Sequence, residues 1–146
     1  IMIKSKVENI PVGEVSFLTE IPDINKFISS DDDALDFPLS ISQLALAAQT
    51  SVHTVRNYVL ENLVHCEEKT KSGHSLYGLC ALKRLKFIRA ARAAGLLVVD
   101  IKPLLMAIDA GERKVPEDIQ KLLLTKIEHR KVFLNLVTNQ IEEFCN

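Results

Sequence analysis

The sequence predicts a mostly α-helical fold, and three observations carry that prediction. Apolar side chains recur every three to four residues in separate runs from Ile41 onward. Ser51 heads one such run and Gly95 follows another, the residue types that start and stop helices. The final run, PEDIQKLLLTKIEHRKVFLNLVTNQIEEF, is far longer than an average globular helix. With 146 residues and 47% apolar side chains, the chain can bury one ordinary core with a small appendage, not two full domains.

Residues 1–38 mix short apolar pieces (VSFL, INKFI) with Pro11, Pro22 and the acidic run SSDDD, without lasting periodicity. They read as a partly ordered acidic arm, with Asp31, Asp32 and Asp33 as linker or cap. Next, Ile41, Leu44, Ala45 and Ala48 share one helical face, and the run stops near Gln49 and Thr50. Ser51 then takes an N-cap position with Thr54 three residues on, and Val52, Val55, Val59 and Leu63 repeat at helical spacing. Two short helices on a tight turn make a helix-turn-helix. Residues 64–69 read as a strand, Thr70-Lys71-Ser72-Gly73 as a turn and 74–77 as the returning strand, a small hairpin or wing.

A helix over 79–94 follows, with Leu82, Leu85, Ile88 and Ala91 inward and Gly95 as its C-terminal cap. A shorter helix over 100–110 places Pro103 in its first turn, and Gly111-Glu112 makes the next turn. Pro116, Glu117 and Asp118 then open the last helix, acid at the positive end of its dipole. Along it Leu123, Ile127, Leu134, Val137, Ile141 and Phe144 follow alternating four- and three-residue steps, broken only at Arg130. That is a coiled-coil seam, and it predicts self-pairing in a homodimer, the alternative being a helix packed on its own domain. The expected organisation is an acidic arm over 1–38, a winged helix-turn-helix DNA-binding domain with its helix pair over 39–110, and a dimerisation helix over 111–146.

The net charge of −1 hides a segregation. Residues 1–38 hold three basic and eight acidic side chains, a balance of −5. Residues 39–94 hold eight and three, a balance of +5, and residues 95–146 hold seven and eight. A basic middle beside an acidic arm points to a local polyanion site. On the helix after Ser51 the inward stripe leaves His53, Arg56 and Asn57 opposite, with Thr54 beside them. Arg pairs with guanine or phosphate, Asn with adenine, and Thr or His with backbone or base.

Together Leu44-Ala45, Ser51, TVRNY (54–58), Leu63-Val64, Gly73, Tyr77 and LKRLKFIRAARAAG (82–95) resemble the MerR family of dimeric bacterial transcription regulators. SVHTVRNYVL, LYGL and ALKRLKFIRAARAAGL resemble most the small co-regulators of mercury-resistance operons within it. The resemblance covers about residues 39–144 and implies a dimer, closed by an antiparallel coiled coil of its last helices, that sets two reading helices in successive major grooves of promoter DNA. Its expected DNA contacts are His53, Thr54, Arg56, Asn57 and Tyr58 on the reading helix, Lys69, Lys71, His74 and Tyr77 on the wing, and Lys83, Lys86 and Arg89 beyond it. The sequence departs from the family pattern at four places: Gln49 replaces the turn glycine, Asn57 a tyrosine, Val59 a glutamate, and His74-Ser75 the wing's Tyr-Arg pair. Without that arginine the wing's grip on phosphate is weaker. Glu67 and Glu68 repel phosphate unless they point away, which leaves Lys69 and Lys71 to face the backbone.

Cys66, Cys80 and Cys145 are odd in number and widely spaced, which reads as reduced cytoplasmic thiols, with Cys80 packed in the core. His65 and Cys66 are strand neighbours and point to opposite faces, so no metal site is expected. Metal-sensing relatives carry cysteines at the head of the dimerisation helix and in a loop behind it. Here Pro116 stands at that head and the chain ends soon after Phe144, so no sensor loop is expected. Nucleotide loops, zinc-protease and nucleophile-elbow motifs are absent, so neither an enzyme nor a cofactor is expected. No signal peptide or membrane span is found. An alternative stays open: a co-regulator with weak DNA binding of its own, acting through another regulator or RNA polymerase.

Overall fold

A computed structural model describes residues 22–111 and 113–146. The expected features in 1–21, and Glu112 of the second turn, lie outside the described residues. The described chain forms two compact units, divided between Leu97 and Val98.

The first unit opens with α1 (Ile24–Ser29), capped by the Asp23 carboxylate, which accepts from the Lys26 amide at 3.0 Å. A 3-10 turn (Asp32–Ala34) and a two-residue strand, β1 (Leu39–Ser40), lead into α2 (Ile41–Ala47). Ser40 and Gln43 form a reciprocal capping box at its head: the Gln43 amide donates to Ser40 Oγ, and the Ser40 amide to Gln43 Oε1. The next helix, α3 (Val52–Leu60), starts as expected at Ser51, whose Oγ accepts from the Thr54 amide at 3.0 Å.

Both helices end by the same device. Gln49 (φ 54°) and Asn62 (φ 60°) are left-handed, and each follows a helix whose last carbonyls are taken by the next two amides. Gln49 N donates to Leu46 O and Thr50 N to Ala45 O; Asn62 N donates to Val59 O and Leu63 N to Tyr58 O. This is the Schellman arrangement, and Gly95 (φ 88°) repeats it behind α4 (Leu79–Ala93). Asparagine tolerates the left-handed region better than glutamine does, so Gln49 carries a backbone cost of roughly 1 kcal/mol.

The wing is shorter than the sequence predicts. Only β2 (Glu68–Lys69) and β3 (Ser75–Tyr77) pair in it, whereas Val64 is fully buried beneath. β1 joins on the other side of β3, giving an antiparallel sheet in the order β1-β3-β2, with Leu39 opposite Tyr77 and Glu68 opposite Leu76. Two residues of β1 offer no alternation to detect, which is why this strand escapes sequence reading.

The core of this unit lies among α2, α3, the sheet and α4. Leu44, Val55, Leu63, Leu82, Leu85 and Ile88 are buried to 1% exposure or less. On α3 the second inward residue is Tyr58; Val59 is half-buried. On α4 all four expected inward residues are buried, and Arg89 joins them at 1% exposure. Its guanidinium donates to the carbonyls of Gln49 (2.6 Å) and Ala48 (3.4 Å), at the end of α2. Cys80, expected in the core, is exposed.

In the second unit α5 (Val98–Asp109) packs along α6 (Glu117–Cys145). α5 begins two residues before the expected helix, which moves Pro103 from the first turn into the second. Lys126 on α6 pairs with Asp100 on α5, and the Gln120 side chain donates to the Val115 carbonyl at 2.7 Å. Beyond Ile127, every residue of α6 is exposed.

Arg89→Ala leaves one buried and one part-buried carbonyl without this donor, and a cavity in the core. We expect a loss of about 3 kcal/mol in folding stability, read as a lowered urea midpoint at unchanged slope.

Candidate nucleic-acid interface

With Val55 and Tyr58 turned into the core, α3 presents His53, Arg56 and Asn57 to solvent and leaves Thr54 half-exposed. Asn57 Nδ2 lies 3.4 Å from His53 Nε2, one turn away, so these two side chains lean on each other. Thr54 is tied back to the cap, its Oγ1 accepting from Ser51 Oγ at 3.0 Å.

Between this face and the wing runs an open cleft of about 540 Å³. Arg56, Val59 and Leu60 line it from the helix, His74, Ser75 and Leu76 from the wing. Leu60 is 80% exposed. It is absent from the residues expected at the site, and its signal in the sequence is a leucine off the apolar stripe of α3. At the tip of the wing the Thr70 carbonyl accepts from the Gly73 amide and Thr70 Oγ1 from the His74 amide, which turns the chain through a left-handed Gly73 (φ 87°). Lys69, Lys71 and His74 are exposed there. The Glu67 carboxylate folds over Gly78, where its oxygen would come within 2.7 Å of an added Cβ. That places its charge at the amide end of α4, the favourable pole of that helix.

Four of the residues assigned to DNA on sequence grounds are placed otherwise. Tyr58 and Tyr77 are buried side chains of the core, and Arg89 is committed to the end of α2. Lys86 is held by the arm: its Nζ donates to Phe27 O (3.0 Å), Ser30 Oγ (2.7 Å) and the Asp32 carboxylate (3.0 Å), and sits 4.8 Å over the Phe27 ring. Lys83, one turn earlier on α4, is exposed. The arrangement therefore gathers His53, Arg56 and Asn57 beside a wing whose tip carries Lys69 and Lys71, with Lys83 also open to solvent.

No group of three His, Cys, Asp or Glu side chains suited to a metal ion occurs among the described residues. No described helix is long and apolar enough to cross a membrane. The family model for MerR HTH family regulatory proteins matches residues 39–108. The HTH-type transcriptional regulator MerD of Acinetobacter calcoaceticus is 34% identical over 102 residues, spanning 70% of this chain and 84% of that one. The chain belongs to the MerR family.

The expected mostly helical class, with its helix-turn-helix, wing and long last helix, is thus borne out in a MerR-family transcriptional regulator similar to MerD. Two solved structures support the fold. A putative MerR-family transcriptional regulator from Listeria monocytogenes superposes with a TM-score of 0.63 at 23% identity, over 73% of this chain and 80% of that one. HiNmlR, a MerR-family regulator lacking the sensor domain and bound to promoter DNA, gives 0.56 at 16% identity, over 75% and 79%. Relative to the family match, the arm lies wholly upstream. The matched segment holds both the exposed face of α3 and the wing.

Tyr77 carries the titration signature of this site. Burial pushes its hydroxyl above the ordinary 10.0; a hydrogen bond to Ser75 opposes this, Cys66 adds to it and Arg56 opposes it. The folded chain therefore favours the neutral phenol, a stabilisation complete below about pH 10 and lost as pH rises through the raised value. Tyr77→Phe should unfold in urea with a shallower loss of stability above that pH than the wild type, and in parallel with it below.

Proposed function

We propose that this MerR-family regulator is a cytoplasmic homodimer that binds promoter DNA, with α3 of each copy in a major groove and each wing along the flanking phosphates. The carrying observation is the division of α3: Val55 and Tyr58 enter the core, while His53, Arg56 and Asn57 stand exposed beside the wing cleft. Arg56 has the fork to read guanine or hold a phosphate, and Asn57 the paired donor and acceptor that suit adenine. Lys69 and Lys71 on the wing and Lys83 on α4 are assigned to phosphates, as is Lys86 once its arm contact is released.

Dimerisation is assigned to α6. Leu134, Val137, Ile141 and Phe144 are 65%, 48%, 56% and 86% exposed in the single chain, on the face that Leu123 and Ile127 begin. Burying them in a coiled coil gains on the order of 1 kcal/mol per side chain, summed over both copies against the cost of association. Closing the pair would join two reading helices in one molecule, which is what paired half-sites require. At the head of α6 stand Pro116, Glu117 and Asp118, so a metal signal read there by cysteine is not part of this proposal.

The committed cations favour a second reading beside the first. With Arg89 buried and the wing arginine absent, fewer side chains grip phosphate, which suits a co-regulator that reaches promoters together with another regulator or RNA polymerase. Mixing decides between them: salt-dependent binding of a duplex by the chain alone supports the first, and binding only in the presence of a second regulator supports the other.

Arg56→Ala should weaken duplex binding by about 1–3 kcal/mol in gel-shift titration while leaving the urea midpoint unchanged; unchanged affinity at moderate salt would overturn the placement of α3. Leu134→Glu should sediment as a single chain at concentrations where the wild type pairs, and should lose binding to a duplex with two half-sites. A wild type that sediments as a single chain removes the dimer.

A further inference from the structure

The acidic arm is the one feature of the first unit that DNA reading does not absorb. It lies outside the family match, which begins at Leu39, yet it is joined to the matched segment at two points, one at the turn of the helix-turn-helix and one on α4. At the first, the Gln49 side chain pairs with the backbone of Asp23 in both directions: Asp23 N donates to Oε1 at 2.7 Å, and Nε2 donates to Asp23 O at 3.3 Å. Gln49 is the left-handed turn residue two positions before Ser51, the cap of α3. At the second, the Lys86 ammonium spends its donors on Phe27 O, Ser30 Oγ and the Asp32 carboxylate. The Lys86 and Asp32 side chains are only 13% and 18% exposed, so this pair is better shielded than a surface ion pair.

We propose that the arm is a built-in mask on the DNA-binding surface, in which Asp32 occupies in cis the cation that a DNA phosphate would take. The proposal rests on the promoter-binding reading above. Three observations give it direction. A carboxylate and a phosphate offer an ammonium the same chemistry, charged oxygen acceptors at hydrogen-bond distance. The described part of the arm, 22–38, holds five acidic side chains and one basic, a balance of −4 that opposes the +5 of residues 39–94, so docking lowers the field that steers polyanions to that surface. And the arm is held by polar contacts, not by burial: no residue of α1 is buried, and Ile24 and Ile28 are 68% and 76% exposed. A support built into the fold would bury apolar surface. A contact made of hydrogen bonds and one ion pair yields to a polyanion or to salt.

The test compares wild type, Asp32→Asn and Asp33→Asn for binding to a mixed-sequence duplex long enough for two half-sites, over a series of salt concentrations. Asp33 is exposed and loses the same charge without touching Lys86. Asp32→Asn is expected to bind about three- to tenfold more tightly at moderate salt, with the log–log salt slope steeper by about 0.9 for each phosphate gained. Asp33→Asn should change less. In parallel, reductive methylation followed by mass spectrometry should modify Lys86 faster in Asp32→Asn than in wild type, without any DNA present. Equal or weaker duplex binding by Asp32→Asn, an equal gain from Asp33→Asn, or equal methylation of Lys86 in wild type and Asp32→Asn overturns the mask. Failure of wild type and both variants to bind any duplex overturns the promoter reading and the mask with it; equal binding by wild type and Asp32→Asn removes the mask alone.

Discussion

The buried guanidinium of Arg89 is the constraint on which the helix-turn-helix depends. A helix ends with carbonyls that no later amide satisfies, and its C-terminus is the negative pole of its dipole. Arg89 brings a cation to that pole of α2, donating to the carbonyls of Ala48 and Gln49 from within the core. An isolated buried charge would be costly, but here the donors meet oxygens that are themselves short of partners. The result ties the turn between α2 and α3 to α4. Through that tie the direction in which α3 leaves the turn, and so the facing of Arg56 and Asn57, is set by a residue that touches neither.

Two further arginines of α4 serve the same purpose. Arg84 Nε donates to the carbonyl of Leu63, behind the end of α3, and Arg92 Nη1 donates to that of Leu96, behind the end of α4 itself. Half of the eight cations between 39 and 94 are thus engaged within the chain: Arg84, Arg89 and Arg92 by helix ends, and Lys86 by the arm. Arg56, Lys69, Lys71 and Lys83 remain exposed. The balance of +5 therefore overstates what this surface can offer a phosphate. What this surface holds for a phosphate is four exposed cations, so the loss of any one of them is a large share of the total.

Much of this was legible in the residues. Ser51 with Thr54 marked a helix start because the serine side chain reaches only a local amide, and Gly95 marked an end for the complementary reason; Ser40 with Gln43 offers the same signal for α2, whose expectation rests on its apolar face alone. The burial of Arg89 was also open to reading. It lies seven residues after Leu82 and four after Leu85, in phase with the apolar stripe, but residue type alone assigns arginine to solvent or phosphate. Cys80 falls three residues before Lys83 and seven before Phe87, on the outward face, so spacing again outranked chemistry. Other features had no local signature. β1 is two residues long, and the pairing of Gln49 with Asp23 spans 26 positions. Contacts at such separation leave no periodic trace, since they depend on where the fold carries each end.

Gln49 brings these threads together. At the turn a glycine would adopt the left-handed conformation without strain, whereas glutamine accepts a cost there. What glutamine adds is an amide that reproduces the donor and acceptor of a peptide unit, and it uses both on Asp23. Its backbone carbonyl meanwhile belongs to Arg89. One residue therefore joins arm, turn and core at the position where α3 is aimed. Replacing the glycine is then no mere defect in the helix-turn-helix: strain at the turn is exchanged for a connection that only a side chain can make.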